Sequence, residues 1–315
     1  MKYTNRYGLP PIVVGTLLQY QRNHAPVDGR IGVTALIGSQ AIFRLTQKHF
    51  DDMTMDVSEL FWAMEGSAIH EALDKFGKRL MSKKLYVDKY NQVKALTALK
   101  DDTEILTEKW LTVNVEGWEI RGVADVIDVT NKAIEDYKRA SVWGFIYKER
   151  SMDSWAKQLN IYRFMAIKNG IEIDKLFING FFRDWSQSKV DSGNYPEIPF
   201  GRVEVPVWDL KKTEDFIKER LQLFKNPEPV PCTPEERWRS GGGFALMVKG
   251  RKTAKKLGNS EEELKAYAEK LHLKNYTIEK REVLDRRCKM YCPVRQFCPF
   301  NKYNQGVEAV EQRGL

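Results

Sequence analysis

Two sets of residues in this 315-residue chain have the types and spacing to do chemistry. The first is Asp125 together with the run Glu135-Asp136-Tyr137-Lys138. On a strand, alternation places Asp136 and Lys138 on one face and Tyr137 on the other, and an antiparallel neighbour brings Asp125 beside Asp136. Two converging carboxylates make a hard-oxygen site suited to Mg²⁺ or Mn²⁺, ions that neutralise a phosphate and lower the pKa of a bound water. Lys138 then orients that water or stabilises the developing charge. The same triplet on an exposed hairpin is a set of solvated charges, the commoner situation for such residues. The second set is Cys232 followed by Cys288, Cys292 and Cys298 in a C-x3-C-x5-C cluster. Four thiols at ligand spacing suit tetrahedral Zn²⁺ or an iron–sulfur cluster, and spacing does not choose between them.

The elements that must position these residues can be read from periodicity. A helix is expected over about 34–49 with Thr34 as its cap, and a second over about 58–80, carrying Leu60, Phe61, Met64, Ile69, Leu73 and Phe76, with His70 at its middle. Residues 81–103 read as a charged connector, helical in part. From Glu104 the period changes, and strands over 105–115, 118–129 and 133–138 form a meander whose first turn is Glu116-Gly117. A helix over about 153–168 stops at Asn169-Gly170, strands follow near 175–185 and 201–207, and a helix spans about 209–224. Asn226, Pro227, Pro229 and Pro231 mark a boundary. Beyond it come a strand over 244–249, a basic turn, a helix opened by a Ser260/Glu263 capping box, and a strand over 276–283. The expected organisation is an N-terminal helical segment (1–57), an α/β core with a mixed sheet flanked by helices (58–226), and a C-terminal cysteine module (227–315).

The run Gly122-Val123-Ala124-Asp125, the strand Ile134-Glu135-Asp136-Tyr137-Lys138 and the later Gln158-Leu159-Asn160-Ile161-Tyr162 together resemble the RecB-like branch of the PD-(D/E)XK nucleases. The likeness is one of order as well as of letters. In that family a strand Asp, a D/E-x-K strand and a Q-x3-Y helix follow a metal-binding His on an earlier helix, the place taken here by His70 in Gly66-Ser67-Ala68-Ile69-His70. The resemblance covers residues 58–168 closely and most of the chain loosely. It implies a restriction-endonuclease-like core and a metal-dependent DNA exonuclease of recombination, repair or phage DNA processing. It also implies His70, Asp125 and Asp136 as metal ligands, Lys138 as the group assisting water, and Gln158 with Tyr162 contacting the DNA backbone or positioning Lys138. Taken alone, His70 is equally a packed or surface histidine, and Tyr162 equally a core residue against Leu159 and Met165. Glu108 is a weaker candidate, more simply read as exposed. The cysteine pattern resembles the iron–sulfur branch of these nucleases, which includes AddB-type and CRISPR-associated exonucleases. That implies a structural 4Fe-4S cluster on Cys232, Cys288, Cys292 and Cys298, with zinc as the alternative. In that branch the distant cysteine often precedes the nuclease core, whereas Cys232 follows it. The rival reading is a noncatalytic DNA-binding or scaffold protein that keeps the fold.

Charge and compartment fit this expectation. The formal charge is +8, but 51 basic residues stand against 43 acidic ones, so the excess matters only where it is local. Lys249, Arg251, Lys252, Lys255 and Lys256 crowd one turn, suited to a phosphate backbone or to plain solvation. Trp143, Phe145 and Tyr147, just past the acidic strand, could stack on unpaired bases or belong to the core. No apolar run approaches the roughly 20 residues that span a bilayer, and no secretory leader is evident, so a cytoplasmic protein is expected; the resemblance implies DNA with a free end as its partner. A helicase or recombinase companion, or self-association, leaves no signature in the sequence.

Overall fold

In a computed structural model, which describes residues 1–85, 87–97 and 99–303, the N-terminal stretch alternates short strands and helices. These are β1 (Lys2–Thr4), α1 (Pro11–Leu17), β2 (Arg30–Gly32), α2 (Val33–Leu36), α3 (Gln40–His49) and β3 (Thr54–Asp56). The single helix expected over 34–49 is therefore two. Gly38 folds back so closely that a Cβ there would lie 3.2 Å from the Thr34 carbonyl oxygen and 3.3 Å from that of Ala35. Ser39, rather than Thr34, then caps α3 by accepting from the Ile42 N–H. Asp56 and Glu59 form a capping box at the entrance to the long helix α4 (Phe61–Met81). The connector after it contains α5 (Val87–Leu96).

The remainder of this part consists of β4 (Ile105–Val115), β5 (Trp118–Asp128), β6 (Ala133–Ala140), α6 (Val142–Ile146), α7 (Glu149–Lys168), β7 (Lys175–Phe182), β8 (Phe200–Glu204) and α8 (Leu210–Lys225). The β4–β5 hairpin closes on the expected pair: Glu116 (φ +48°) and Gly117 (φ +81°) both take the left-handed conformation that a two-residue turn requires, and Val115 pairs with Trp118. The sheet runs β2-β5-β6-β7-β8, with β4 also on β5. It is mixed: β2/β5 and β6/β7 are parallel, while β4/β5, β5/β6 and β7/β8 are antiparallel. Helices flank it, and Ile120, Ile127, Ile134, Leu159, Ile161 and Met165 lie at the centre of the apolar core. Burial of a Leu- or Ile-sized side chain stabilises by about 1.5–3 kcal/mol, which is why this central layer fixes the positions of the strands around it. Residues 1–57 are not a separate helical segment, because β2 is a strand of this sheet and Ile31, Val33, Leu36 and Phe43 belong to its core.

The chain divides into two compact units, Met1–Glu228 and a second beginning at Pro229, in the proline-rich stretch anticipated as a boundary. The second contains β9 (Arg239–Gly241), β10 (Phe244–Val248), β11 (Lys256–Gly258), α9 (Glu261–Lys270), β12 (Tyr276–Lys280) and β13 (Val283–Asp285). A three-stranded antiparallel sheet, β11-β10-β12, packs Leu246 against Leu264 and Ala268 of α9, and β9 pairs with β13. Ser260 caps α9, but the Glu263 carboxylate reaches the Asn259 N–H instead of Ser260, so the expected box is half formed. The strand expected over 276–283 is divided between the two sheets. Among the described residues, no helix is long and apolar enough to cross a membrane.

Candidate active site

Asp125 lies where β5 loses partners on both edges. The β4–β5 register pairs Thr107 with Val126 and Lys109 with Ala124, so Glu108 stands across from Asp125, yet the ladder skips that pair. Glu108 has φ +46°, a conformation uncommon for residues with a Cβ and concentrated at functional positions. On the other edge, β5 pairs with β6 from Asp128↔Ala133 to Val126↔Glu135, and the next step would set Asp125 opposite Asp136. Instead the Asp125 carboxylate accepts the Tyr137 backbone N–H at 2.7 Å, replacing a ladder bond with a side-chain one. Glu108, Asp125 and Asp136 thus form a row across three strands.

Helix α4 brings His70 to this row. Its Nδ1 lies 3.4 Å from Asp125 Oδ1 and 3.5 Å from Glu108 Oε1. Two ties hold the helix there. Thr107 on β4 donates to Asp74 at 2.6 Å, and Gly77 lets the strand approach so closely that a Cβ would lie 2.5 Å from Thr107 Cγ2. Toward the start of α4, Arg139 of β6 donates to Glu65 at 2.8 Å. Asp136 and Lys138 share a face as alternation demands. Lys138 Nζ is 2.9 Å from Asp136 Oδ1 and 2.7 Å from Oδ2, while Tyr137 turns away to donate to Glu135. Gln158 on α7 binds both, donating to Asp136 Oδ1 at 3.1 Å and accepting from Lys138 at 3.2 Å. Asp136 Oδ2 is buried without a hydrogen bond, the ammonium near it lying off the bonding direction.

The electrostatics of the row follow from crowding like charges in a half-dry site. A hydrogen bond to Asp125 raises the His70 pKa above the usual imidazole value, opposed by burial and supported by the Asp125, Glu108 and Asp136 charges. Burial, then repulsion from Asp125, raises Glu108. Burial pushes Asp136 up to about 6, with the neighbouring Asp125 charge adding to it and Lys138 opposing. A site that holds on to protons in this way is one that a cation would relieve.

Of the three ligands expected from the resemblance, His70 and Asp125 come together with Glu108, all offering atoms within 4.8 Å of one another, and Asp136 adjoins them on the next strand, bound to Lys138 and Gln158. Glu108, expected to be exposed, is instead half-buried and a member of this group. Tyr162 is buried: Gly122 accommodates its ring, and a Cβ there would lie 2.8 Å from Cε1. Burial turns it away from a DNA backbone, but its side chain hydrogen-bonds Gln158, the residue that holds Lys138 and Asp136, in line with the positioning alternative. Phe145 is likewise a core residue, held against Gly180.

In the second unit, Cys288 lies within electrostatic reach of Cys232 and Cys298, and so does Cys292. Burial raises both thiols, Cys292 to about 11, and the Val294 N–H points at the Cys292 sulfur. In the basic turn Lys249, Arg251 and Lys252 are exposed and Lys255 is half-buried. Lys256 is already engaged, 3.3 Å from Glu263 and over the Tyr267 ring, so it is the least free of the five for phosphate.

No family model and no curated protein matches this chain. Among solved structures, that of SSO0001 is similar over 72% of this chain and 90% of its own, at 15% identity and a TM-score of 0.45.

The geometry of the site suits a divalent ion. Adjacent ligand atoms around an octahedral ion bound at about 2.1 Å stand roughly 3 Å apart, close to the 3.4 and 3.5 Å contacts of His70. One imidazole with two carboxylates is a mixed N,O donor set open to Mg²⁺ or Mn²⁺; Asp136, expected as the third ligand, stands outside that group, its Oδ2 2.7 Å from the Lys138 ammonium.

Proposed function

We propose that this protein is a Mg²⁺- or Mn²⁺-dependent deoxyribonuclease with a RecB-like PD-(D/E)XK core, degrading DNA from free ends in recombination, repair or phage DNA processing. The observation that carries the reading is the row Glu108-Asp125-Asp136, met from one side by His70 and from the other by Lys138 and Gln158. His70, Glu108 and Asp125 hold the ion, with Asp136 adjoining. A divalent ion in this place supplies Lewis-acid activation of a phosphate oxygen and of a water.

The chain's own groups do the rest. Lys138, a third exposed, stands at the edge of the row with its ammonium on Asp136 and Gln158, where it stabilises negative charge developing on the phosphoryl group. Gln158 fixes both Lys138 and the Asp136 carboxylate, so it is a positioning residue. The four cysteines hold a 4Fe-4S cluster with a structural role; four thiols, a backbone N–H on one sulfur and Arg237 and Arg287 nearby suit a cluster of net negative charge. The exposed part of the basic turn contributes contacts to the phosphate backbone.

The test is incubation of end-labelled linear DNA with the protein and Mg²⁺ or Mn²⁺, beside Asp136→Ala and Lys138→Ala. Each variant is expected to lose about 10²–10³-fold in rate, the scale of removing one preorganised charge-stabilising group. Undiminished cutting by both would remove the site assignment. DNA binding without cutting by any form in either metal would instead favour a noncatalytic scaffold.

A further inference from the structure

Four residues beyond Lys138, strand β6 passes into the short helix α6, where the chain exposes rings that a core would bury. Trp143 and Tyr147 are 48% and 49% exposed, and they lie nearly parallel, 17° between planes with centroids 6.2 Å apart. Beside them is a cavity of about 500 Å³, walled by Ile146 and by the 189–195 loop with Lys189 and Tyr195. The far wall is fixed: Tyr195 is buried, meets Trp143 edge-on, and its hydroxyl accepts the Ser186 N–H at 2.9 Å. The near wall is fixed as well, because Asp184 accepts from both the Ser141 hydroxyl and the Val142 N–H at the start of α6. Cations surround the rings. The Arg150 guanidinium lies over Tyr147 at 5.2 Å, and Lys189 is exposed at the cavity. At the same strand ends Arg183, whose N–H bonds the Ala140 carbonyl at the end of β6, covers the exposed ring of Trp62.

We propose that Trp143 and Tyr147 form a stacking site for an unpaired base, so that the DNA strand entering the acidic row is single at this point. The inference deepens the nuclease reading by naming its substrate as an unpaired strand. Flat rings held in place lose little conformational freedom on binding, and every base has a face to offer them, so the site is tolerant of sequence. Arg150 and Lys189 complement the phosphates between stacked bases. Five residues span at most about 17 Å, so a base on Trp143 lies within a few nucleotides of a phosphate at Lys138.

Binding without cleavage separates this inference from the nuclease reading. Fluorescence polarisation in EDTA compares an end-labelled oligothymidylate, an abasic oligomer of equal length and a duplex. The wild-type protein is expected to bind the oligothymidylate at least tenfold more tightly than the abasic strand. The Trp143→Ala/Tyr147→Ala variant should lose roughly ten- to a hundredfold in affinity for the oligothymidylate and nearly all discrimination against the abasic strand, with Trp143→Phe recovering most of both. Duplex affinity should stay within about twofold. Tyr147→Ala alone carries the comparison if the double variant does not fold. Equal binding of base-bearing and abasic strands by the wild type, or unchanged oligothymidylate binding by the variants, overturns the stacking site and leaves metal-dependent cleavage standing. A protein that fails to cut in either metal contradicts the nuclease reading, while the binding comparison still decides the stacking site.

Discussion

Asp125 owes its position to a strand that runs short of backbone partners, and the groups around it inherit the consequences. Its carboxylate holds the Tyr137 N–H and the His70 imidazole at once. A proton on His70 Nδ1 blocks that atom as a ligand, and the Asp125 contact raises the pKa at which the proton leaves. Metal binding should therefore weaken as pH falls through and below the imidazole range. The Mn²⁺ concentration for half-maximal cleavage is expected to rise severalfold to tenfold per pH unit there, a slope set by one proton per ion; a flat requirement between pH 5.5 and 8 would argue against His70 as a ligand. Asp136 gives a prediction of the opposite kind. Its carboxyl holds a proton more tightly folded than unfolded, so its contribution to stability is complete below the ordinary value of 3.8 and is lost as pH rises through about 6. Without metal at pH 8, Asp136→Asn should thus be more stable than the wild type, by roughly 1–2 kcal/mol after the loss of the Lys138 partner is set against the gain. Chemical denaturation in EDTA measures this, and a destabilised variant would contradict it. Much of this scale was legible: alternation alone places Asp136 with Lys138. Glu108 was equally within reach, because the Glu116-Gly117 turn sets a register that puts it opposite Asp125, but its positive φ has no signature in residue type.

At the scale of elements, the site depends on how α4 meets β4 and how α7 meets β6. Gly77 matters because a methyl group there would collide with Thr107, whose hydroxyl is already committed to Asp74. Gly77→Ala should push α4 off the strand that carries Glu108, at a cost of about 1–3 kcal/mol of stability. Since His70 moves with the helix, the variant is expected to raise the metal requirement for cleavage at temperatures where it remains folded. Loss of stability with an unchanged metal requirement would show that His70 does not need this contact. The meander and the later helices could be read from periodicity because their turns are written in Glu116-Gly117 and Asn169-Gly170. The break in the first expected helix could not, because apolar spacing continues through Gly38 and only the close approach to the Thr34 and Ala35 carbonyls reveals the fold-back. Nor did any pattern show that β5 shares one edge between β2 at its start and β6 at its end, a split that arises from tertiary pairing.

At the scale of the molecule, two units carry two donor sets of different chemistry, oxygen and imidazole in the first, thiols in the second. The division near Glu228 was visible in the prolines, whereas the inclusion of residues 1–57 in the first unit was not, because three residues of β2 are too few to show a period. The thiol set predicts a brown protein with absorbance near about 400 nm that Cys288→Ser abolishes together with much of the thermal stability of its unit. A colourless protein carrying one zinc per chain would replace the cluster with the zinc alternative.

The most direct test of the central claim is a calorimetric titration of Mn²⁺ into the DNA-free protein at pH 8, repeated with Asp125→Ala. The row of carboxylates and His70 predicts saturable binding to the wild type that the substitution removes or weakens at least about a hundredfold, since Asp125 is the member that touches both His70 and β6. Binding undiminished in Asp125→Ala, or none to the wild type, would contradict it.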